Sequence, residues 1–137
     1  MTFFRSKNNF VIFFNGDIDK VKIINNPTII EPVGNKPKVI KEYIGLVNSK
    51  TSDVSIAEMS SPQGWIEPGQ KPDFDEYTIV LEGELQVETE DETICVSSGQ
   101  AIITHAGEWI RYSTPKKTTK YIAVCMPAFN PDTVNRD

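Results

Sequence analysis

From about residue 39 onward the chain is cut into short stretches of alternating apolar and polar residues, spaced some ten residues apart. That rhythm limits the fold more than any other feature. The stretches are "VIKEYIGLVN" (39–48), "DVSIAEMSS" (53–61), "WIE", "EYTIVLE" (76–82), "ELQVETE" (84–90), "ETICV", "QAIIT", "WIRYST" and "KYIAVCM", each bounded by Gly, Pro, Ser or a charged turn. Side chains alternate across a strand, so Leu85 and Val87 share one face and Glu84, Gln86 and Glu88 the other. Few segments carry a helical period, and 39–48 is read as a strand rather than a short helix. At least seven short strands at this spacing predict an all-β sandwich or barrel. The first 30 or so residues and the tail "NPDTVNRD" fall outside the rhythm. They read as edge strands, arms or disordered ends. The expected units are an N-terminal arm over 1–36, which could add or swap a strand, a domain over 37–129, and a tail over 130–137.

A chain of 137 residues is one domain, large enough to bury a single core. Its formal net charge is −5. A nucleic-acid binder would present a basic face. The only basic cluster here, Lys116, Lys117 and Lys120, reads as a solvated turn. No apolar run approaches the ~20 residues of a membrane-spanning helix. Arg5 and Lys7 precede "FVIFF", but five apolar residues fall short of the ~7–15 of a secretory signal, and no small-residue cleavage site follows. Neither nucleic acid nor a membrane is therefore expected as a partner. Two cysteines, Cys95 and Cys125, make no disulfide framework. Both lie in apolar strand-like stretches, which predicts buried free thiols and a cytoplasmic setting.

Two longer patterns overlie the strands. The first runs from Gly64 through five residues to Gln70-Lys71-Pro72, three more to Glu76, and six more to Gly83. The second runs from Gly99 through five residues to His105-Ala106-Gly107, two more to Ile110, and three more to Thr114, fifteen residues after the first. In spacing these resemble the two motifs of the cupins, over about residues 37–129. The resemblance implies a cupin-type antiparallel β-barrel, the jelly-roll double-stranded β-helix. It also implies a divalent metal held inside the barrel by three histidines and a glutamate. Carried over by position, the histidines become Gln70, Pro72 and Ile110, and only Glu76 survives. Imidazoles supply most of the affinity of such sites, so no metal and no other cofactor is expected. The lone histidine, His105, stands at the turn proline of the second motif and is read as a rim residue. The stretches "FDEYTIVLEGEL", "GQAIIT", "GEWIRYSTP" and "YIAVCMPAF" also look like the cupins of ethanolamine utilisation, which lack the metal histidines too. One of that group is described as an acetate kinase. No phosphate-cradling glycine loop is present here, and the activity is not carried over.

The strand period then orients the site. Glu76, Thr78 and Val80 share one face of their strand, and Tyr77, Ile79 and Leu81 the other. With Glu76 inward, the outer face remains apolar and needs a covering layer or a second subunit, so a homodimer is expected. If Ile110 points inward so does Tyr112, while Trp109 and Arg111 point outward as interface candidates. Trp65 and Glu67 fall near the barrel mouth. Asp73 and Asp75 suit turn chemistry. The candidate ligand-binding set is Gln70, Glu76, Thr78, Ile110, Tyr112, Trp65 and Glu67, with Glu76 and Tyr112 as the candidate catalytic pair.

A buried carboxylate without a partner is costly, so Glu76 either anchors a ligand or satisfies polar neighbours. Three functions follow. The first is a metal-independent cupin that binds a small polar organic molecule in its barrel. The second is a metal-independent isomerase, epimerase or lyase using Glu76 and Tyr112 as acid and base. The third is a dimeric structural or accessory protein with a filled barrel.

Overall fold

The computed structural model describes the backbone of residues 3–5 and 11–13 and the whole of residues 20–137. The described residues form strands and turns without helix. β1 (Phe3–Arg5) and β2 (Val11–Phe13) pair antiparallel in a two-stranded ladder, Phe4 opposite Ile12. Phe10 and Phe14, the ends of "FVIFF", lie outside the described residues, as does any exchange of this arm between subunits. The remaining strands are β3 (Thr28–Ile30), β4 (Val39–Ile44), β5 (Ser55–Ser61), β6 (Trp65–Ile66), β7 (Asp75–Glu82), β8 (Glu84–Thr89), β9 (Thr93–Ser97), β10 (Ala101–Thr104), β11 (Ile110–Thr114) and β12 (Thr119–Met126).

They build two antiparallel sheets, one in the order β10-β7-β12-β5-β4-β3 and one in the order β6-β11-β8-β9. Strands distant in sequence become neighbours, β12 between β7 and β5 and β11 between β6 and β8, as in a jelly roll. The chain passes from one sheet to the other at Gly83, a single residue between β7 and β8 with φ of +87°. A Cβ there would lie 2.6 Å from the Thr118 carbonyl oxygen, so both conformation and space require glycine.

Inward-facing residues explain where the barrel is filled. Trp65, Val80, Leu85, Val87, Val96, Ile110, Tyr112 and Tyr121 form one buried cluster, with Met59, Ile94 and Ile102 packed against it. Along β12 the register sets Tyr121 beside Val80, then Ala123 beside Thr78, then Cys125 beside Glu76. On its other edge Ala123 faces Ala57 and Cys125 faces Ser55. The inner face therefore passes from bulky residues at one end to Ala, Ser, Thr and Cys at the other. Side chains this small cannot fill the space between the sheets, and a cavity remains there.

The tail runs along the residues before β7. Asp73 N–H donates to the Thr133 carbonyl, Lys71 N–H to Asn135 and Asp137 N–H to Gly69, at 2.9, 3.1 and 2.9 Å. Gln70 bridges Ile110 on one side and Arg136 on the other. Val134 is buried with Phe74 and Cys125, and Phe129 packs against them. Asp73 accepts a hydrogen bond from the Asn135 amide and Asp75 one from the Ala106 N–H.

Two sequence expectations change here. Cys95 is exposed, and only Cys125 is buried. In β9 it is Ile94 and Val96 that turn inward, and Cys95 between them must turn out. Trp109 and Arg111 face outward as expected, but both are engaged within the chain. Trp109 packs on Gly69 and donates to Asp137 at 3.1 Å, while Arg111 pairs with Glu88.

Candidate functional site

The cavity lies between the sheets and has a volume of about 80 Å³. That is room for several waters, or for an organic molecule of a few heavy atoms. Ile30, Ile40, Met59, Phe74 and the two alanines make much of its wall apolar. Set into that wall are Lys38, Glu67, Gln70, Glu76, Tyr112 and Arg136.

Glu76 is held inward by the alternation of β7, beside Cys125 of β12. Its Oε2 accepts from the Cys125 thiol at 3.3 Å. Burial, together with the Glu76 charge, pushes that thiol well above its ordinary range. Tyr112 reaches the same carboxylate from β11 and also meets Thr104 Oγ1 at 3.1 Å. Burial first, and then the charge of Glu76, raise the phenol well above its ordinary 10.

Glu67 follows the short strand β6 and is buried. Burial raises its carboxyl from the ordinary 4.5 to about 7, and the nearby Glu76 charge adds to the shift. Lys38, Arg136 and the Tyr112 N–H pull it the other way. Lys38 enters just ahead of β4, with its side chain only 5% exposed. Its Nζ lies 3.9 Å from Glu67 Oε2, 3.5 Å from the Tyr121 hydroxyl and 4.2 Å from the centre of the Trp65 ring. Burial lowers its pKa, against the pull of Glu67 and Glu76. Tyr121 is anchored in turn by Ser61 at 2.9 Å.

The residues named from sequence divide into two groups. Gln70, Glu76, Thr78, Tyr112 and Glu67 line the cavity. Ile110 and Trp65 are 1% exposed and belong to the packed end of the barrel, where Trp65 supports the Lys38 ammonium. His105 stays on the rim, 3.8 Å from Asp75. Lys38 and Arg136 went unnamed in the sequence reading. So did Tyr121, Ser55, and Cys125 as a cavity residue.

The metal site implied by the fold does not fit these residues. Pro72 and Ile110 stand fully buried at two ligand positions with no donor atom to offer, and Gln70 brings an amide where an imidazole would be. Among the described residues no group of three or more His, Cys, Asp or Glu could hold a metal ion.

The family model described as "Ethanolamine utilisation protein EutQ" matches residues 64–130. A curated protein, "Endoribonuclease YbeY" of Myxococcus xanthus (strain DK1622), is 38% identical over 96 residues, which are 69% of this chain and 33% of that protein. The chain thus spans about a third of the length of the curated relative it matches. Among solved structures, an ethanolamine utilization protein Q from Salmonella typhimurium LT2 superposes with a TM-score of 0.60 at 20% identity, over 75% of this chain and 97% of that one. The polyketide cyclase RemF from Streptomyces resistomycificus gives 0.66 at 21% identity, over 86% and 85%. Likeness at such identities establishes the fold and leaves the chemistry to each site. With the antiparallel two-sheet topology and the motif glycines in place, the chain has a cupin-type fold, and over residues 64–130 it is similar to EutQ.

Proposed function

We propose that this protein is a metal-independent cupin that binds a small polar organic molecule in its barrel. The observation that carries the reading is the cavity itself, a largely apolar space between the sheets with Glu67, Glu76, Lys38, Gln70 and Tyr112 lining it. A barrel serving only as scaffold has no need of buried charges, which cost several kcal/mol each unless paired. Native mass spectrometry of protein purified without chelator is expected to retain a small organic mass. Filling the cavity with Ala57→Phe is expected to expel it. An empty wild type that no compound in a metabolite panel stabilises against heat would count against the reading. Glu76→Gln separates the two roles of that carboxylate. Lost ligand capture with the fold intact marks an anchor, and a destabilised fold with capture intact marks a structural group.

A second reading, acid–base catalysis, draws support from Glu67. A proton carrier works best with a pKa near the working pH, and Glu67 at about 7 meets that condition. Tyr112, raised well above 10, would serve better as a hydrogen-bond donor than as a base.

The outer face of the six-stranded sheet favours a homodimer. Ile103, Tyr77, Val124, Ile56 and Ile44 lie in register across β10, β7, β12, β5 and β4. Ile79 and Leu81 extend the patch, exposed at 49% and 43%. A face this continuous suits a second copy of itself, brought together about a twofold axis.

A further inference from the structure

Of the charged side chains that line the cavity, Glu31, Lys38, Glu42, Glu67, Glu76 and Arg136, the two cations have hydrogen-bonding capacity left over. The Lys38 ammonium has three donors. Its nearest acceptors are the Tyr121 hydroxyl at 3.5 Å, Met59 Sδ at 3.7 Å and Glu67 at 3.9 Å. All are longer than the ~2.7–2.9 Å of a charge-assisted hydrogen bond. Arg136 Nε, among the described residues, is the buried side-chain nitrogen or oxygen left without a partner. Buried donors left unmade are costly and rare. Both side chains line the same cavity, and both act electrostatically on Glu67, so they flank one spot. Glu76, by contrast, accepts from the Cys125 thiol at 3.3 Å.

An acceptor is therefore wanted between Lys38 and Arg136. The space is small and much of its wall is apolar, with Ile30, Ile40, Ala57, Phe74 and Ala123 among its lining. A doubly charged inorganic anion would meet Glu76 at close range with nothing to bury. A carboxylate brings one charge, matches the planar edge of a guanidinium, and carries an organic remainder to set against Ala57, Ala123 and Phe74. Resting on the reading of the cavity as a ligand site, we infer that Lys38 and Arg136 form an anion subsite and that the ligand is a small organic acid, bound by its carboxylate with a hydroxyl turned toward Glu76.

The charges give this subsite a pH dependence. Protonation of Glu67 removes a negative charge beside Lys38 and Arg136, which favours an anion there. An anion beside Glu67 makes it hold its proton more firmly. Above pH about 7 binding must therefore take up a proton, and affinity falls as pH rises. The groups facing Glu67 are Lys38 ahead of β4, Glu76 on β7, Tyr112 on β11, Tyr121 on β12 and Arg136 on the tail. Any loss of the Lys38 proton at high pH acts in the same direction.

Calorimetric titration of the purified chain tests this with lactate, glycolate, glycolamide, inorganic phosphate, and a set of neutral polyols and amines. Lactate or glycolate is expected to bind at pH 6, with glycolamide at least tenfold weaker. Lys38→Met and Arg136→Gln should each weaken the acid at least tenfold, and Ala57→Phe should abolish binding. Affinity should fall about tenfold per pH unit above 7. Arg136 sits on the tail, so its variant gives a result even where Lys38→Met fails to fold. A polyol or amine that binds, and is blocked by Ala57→Phe, while no acid binds, overturns the anion subsite and leaves the pocket reading standing. Phosphate binding tighter than both acids overturns the choice of carboxylate. No binding by any compound, with Ala57→Phe fully stable, overturns the pocket reading and this inference together.

Discussion

Glu67→Gln isolates the energetic cost of ionising a carboxylate inside the barrel. The wild-type carboxyl moves from 4.5 unfolded to about 7 folded. At about 1.4 kcal/mol per unit that shift corresponds to about 3 kcal/mol. The folded chain holds this proton where the unfolded chain has released it. Stability is therefore fully present below pH 4.5, declines through the interval, and is lost once pH passes 7. Glutamine keeps the shape and stays neutral, so it behaves like the protonated form at every pH. The two proteins should be about equally stable at pH 4 to 4.5. At pH 8 the variant should be the more stable by about 1–3 kcal/mol, the lower end applying where water enters the cavity and screens the charge. Lys38, whose pKa is lowered, pulls stability the opposite way as pH rises, and measuring variant against wild type cancels most of that contribution. Urea melts at pH 4.5, 6, 7 and 8 read the difference directly. A variant that is destabilised equally at all four would refute the reasoning, because Glu67 would then be held as an ionised partner of Lys38.

Three shorter predictions accompany it. Native protein treated with a thiol reagent should take up one label, on exposed Cys95, slowly because its hydrogen bond to Glu84 holds the thiol proton; the second label should need denaturant, and rapid labelling of two thiols would contradict the burial of Cys125. Sedimentation equilibrium at micromolar concentration should give a dimer that Ile79→Asp converts to a folded monomer, and a wild-type monomer would remove the case for the outer-face interface. Elemental analysis should find far less than one Zn, Fe, Mn or Ni per chain, and a full equivalent that disappears in Glu76→Ala would reverse the argument from Pro72 and Ile110.

The strands were legible because their signal is local. A period of two and a turn residue or charged turn at each break can be read within eight residues, as at β7–Gly83–β8. The inward direction of Glu76 and Tyr112 followed from the same alternation. So would the exposure of Cys95, had Ile94 and Val96 been used to orient β9 instead of the apolar character of the stretch. The small residues of the cavity were visible as letters, but Ala57 and Ala123 become a floor only when β5 and β12 pair. Lys38 and Arg136 left no local trace. Arg136 comes to the site through the pairing of the tail with Gln70, and Lys38 through the placement of β4 beside β5. Long-range pairings of this kind carry no period in the sequence.

With the cavity read as the ligand site proposed above, the graded inner face along β12, Tyr121 to Ala123 to Cys125, separates the demands of folding from those of recognition. Truncating Val80 or Leu85 at the packed end opens a void in a filled core and costs several kcal/mol. Adding a methyl or a methylene at Ala57, Ala123 or Thr78 instead consumes empty space, at little expense to the fold. Such changes would reshape the chamber one carbon at a time while the glycine turns and the packed end stay as they are. In a lineage of such barrels, ligand preference is then free to drift under mutation at a handful of small residues, with thermal stability as a nearly silent bystander.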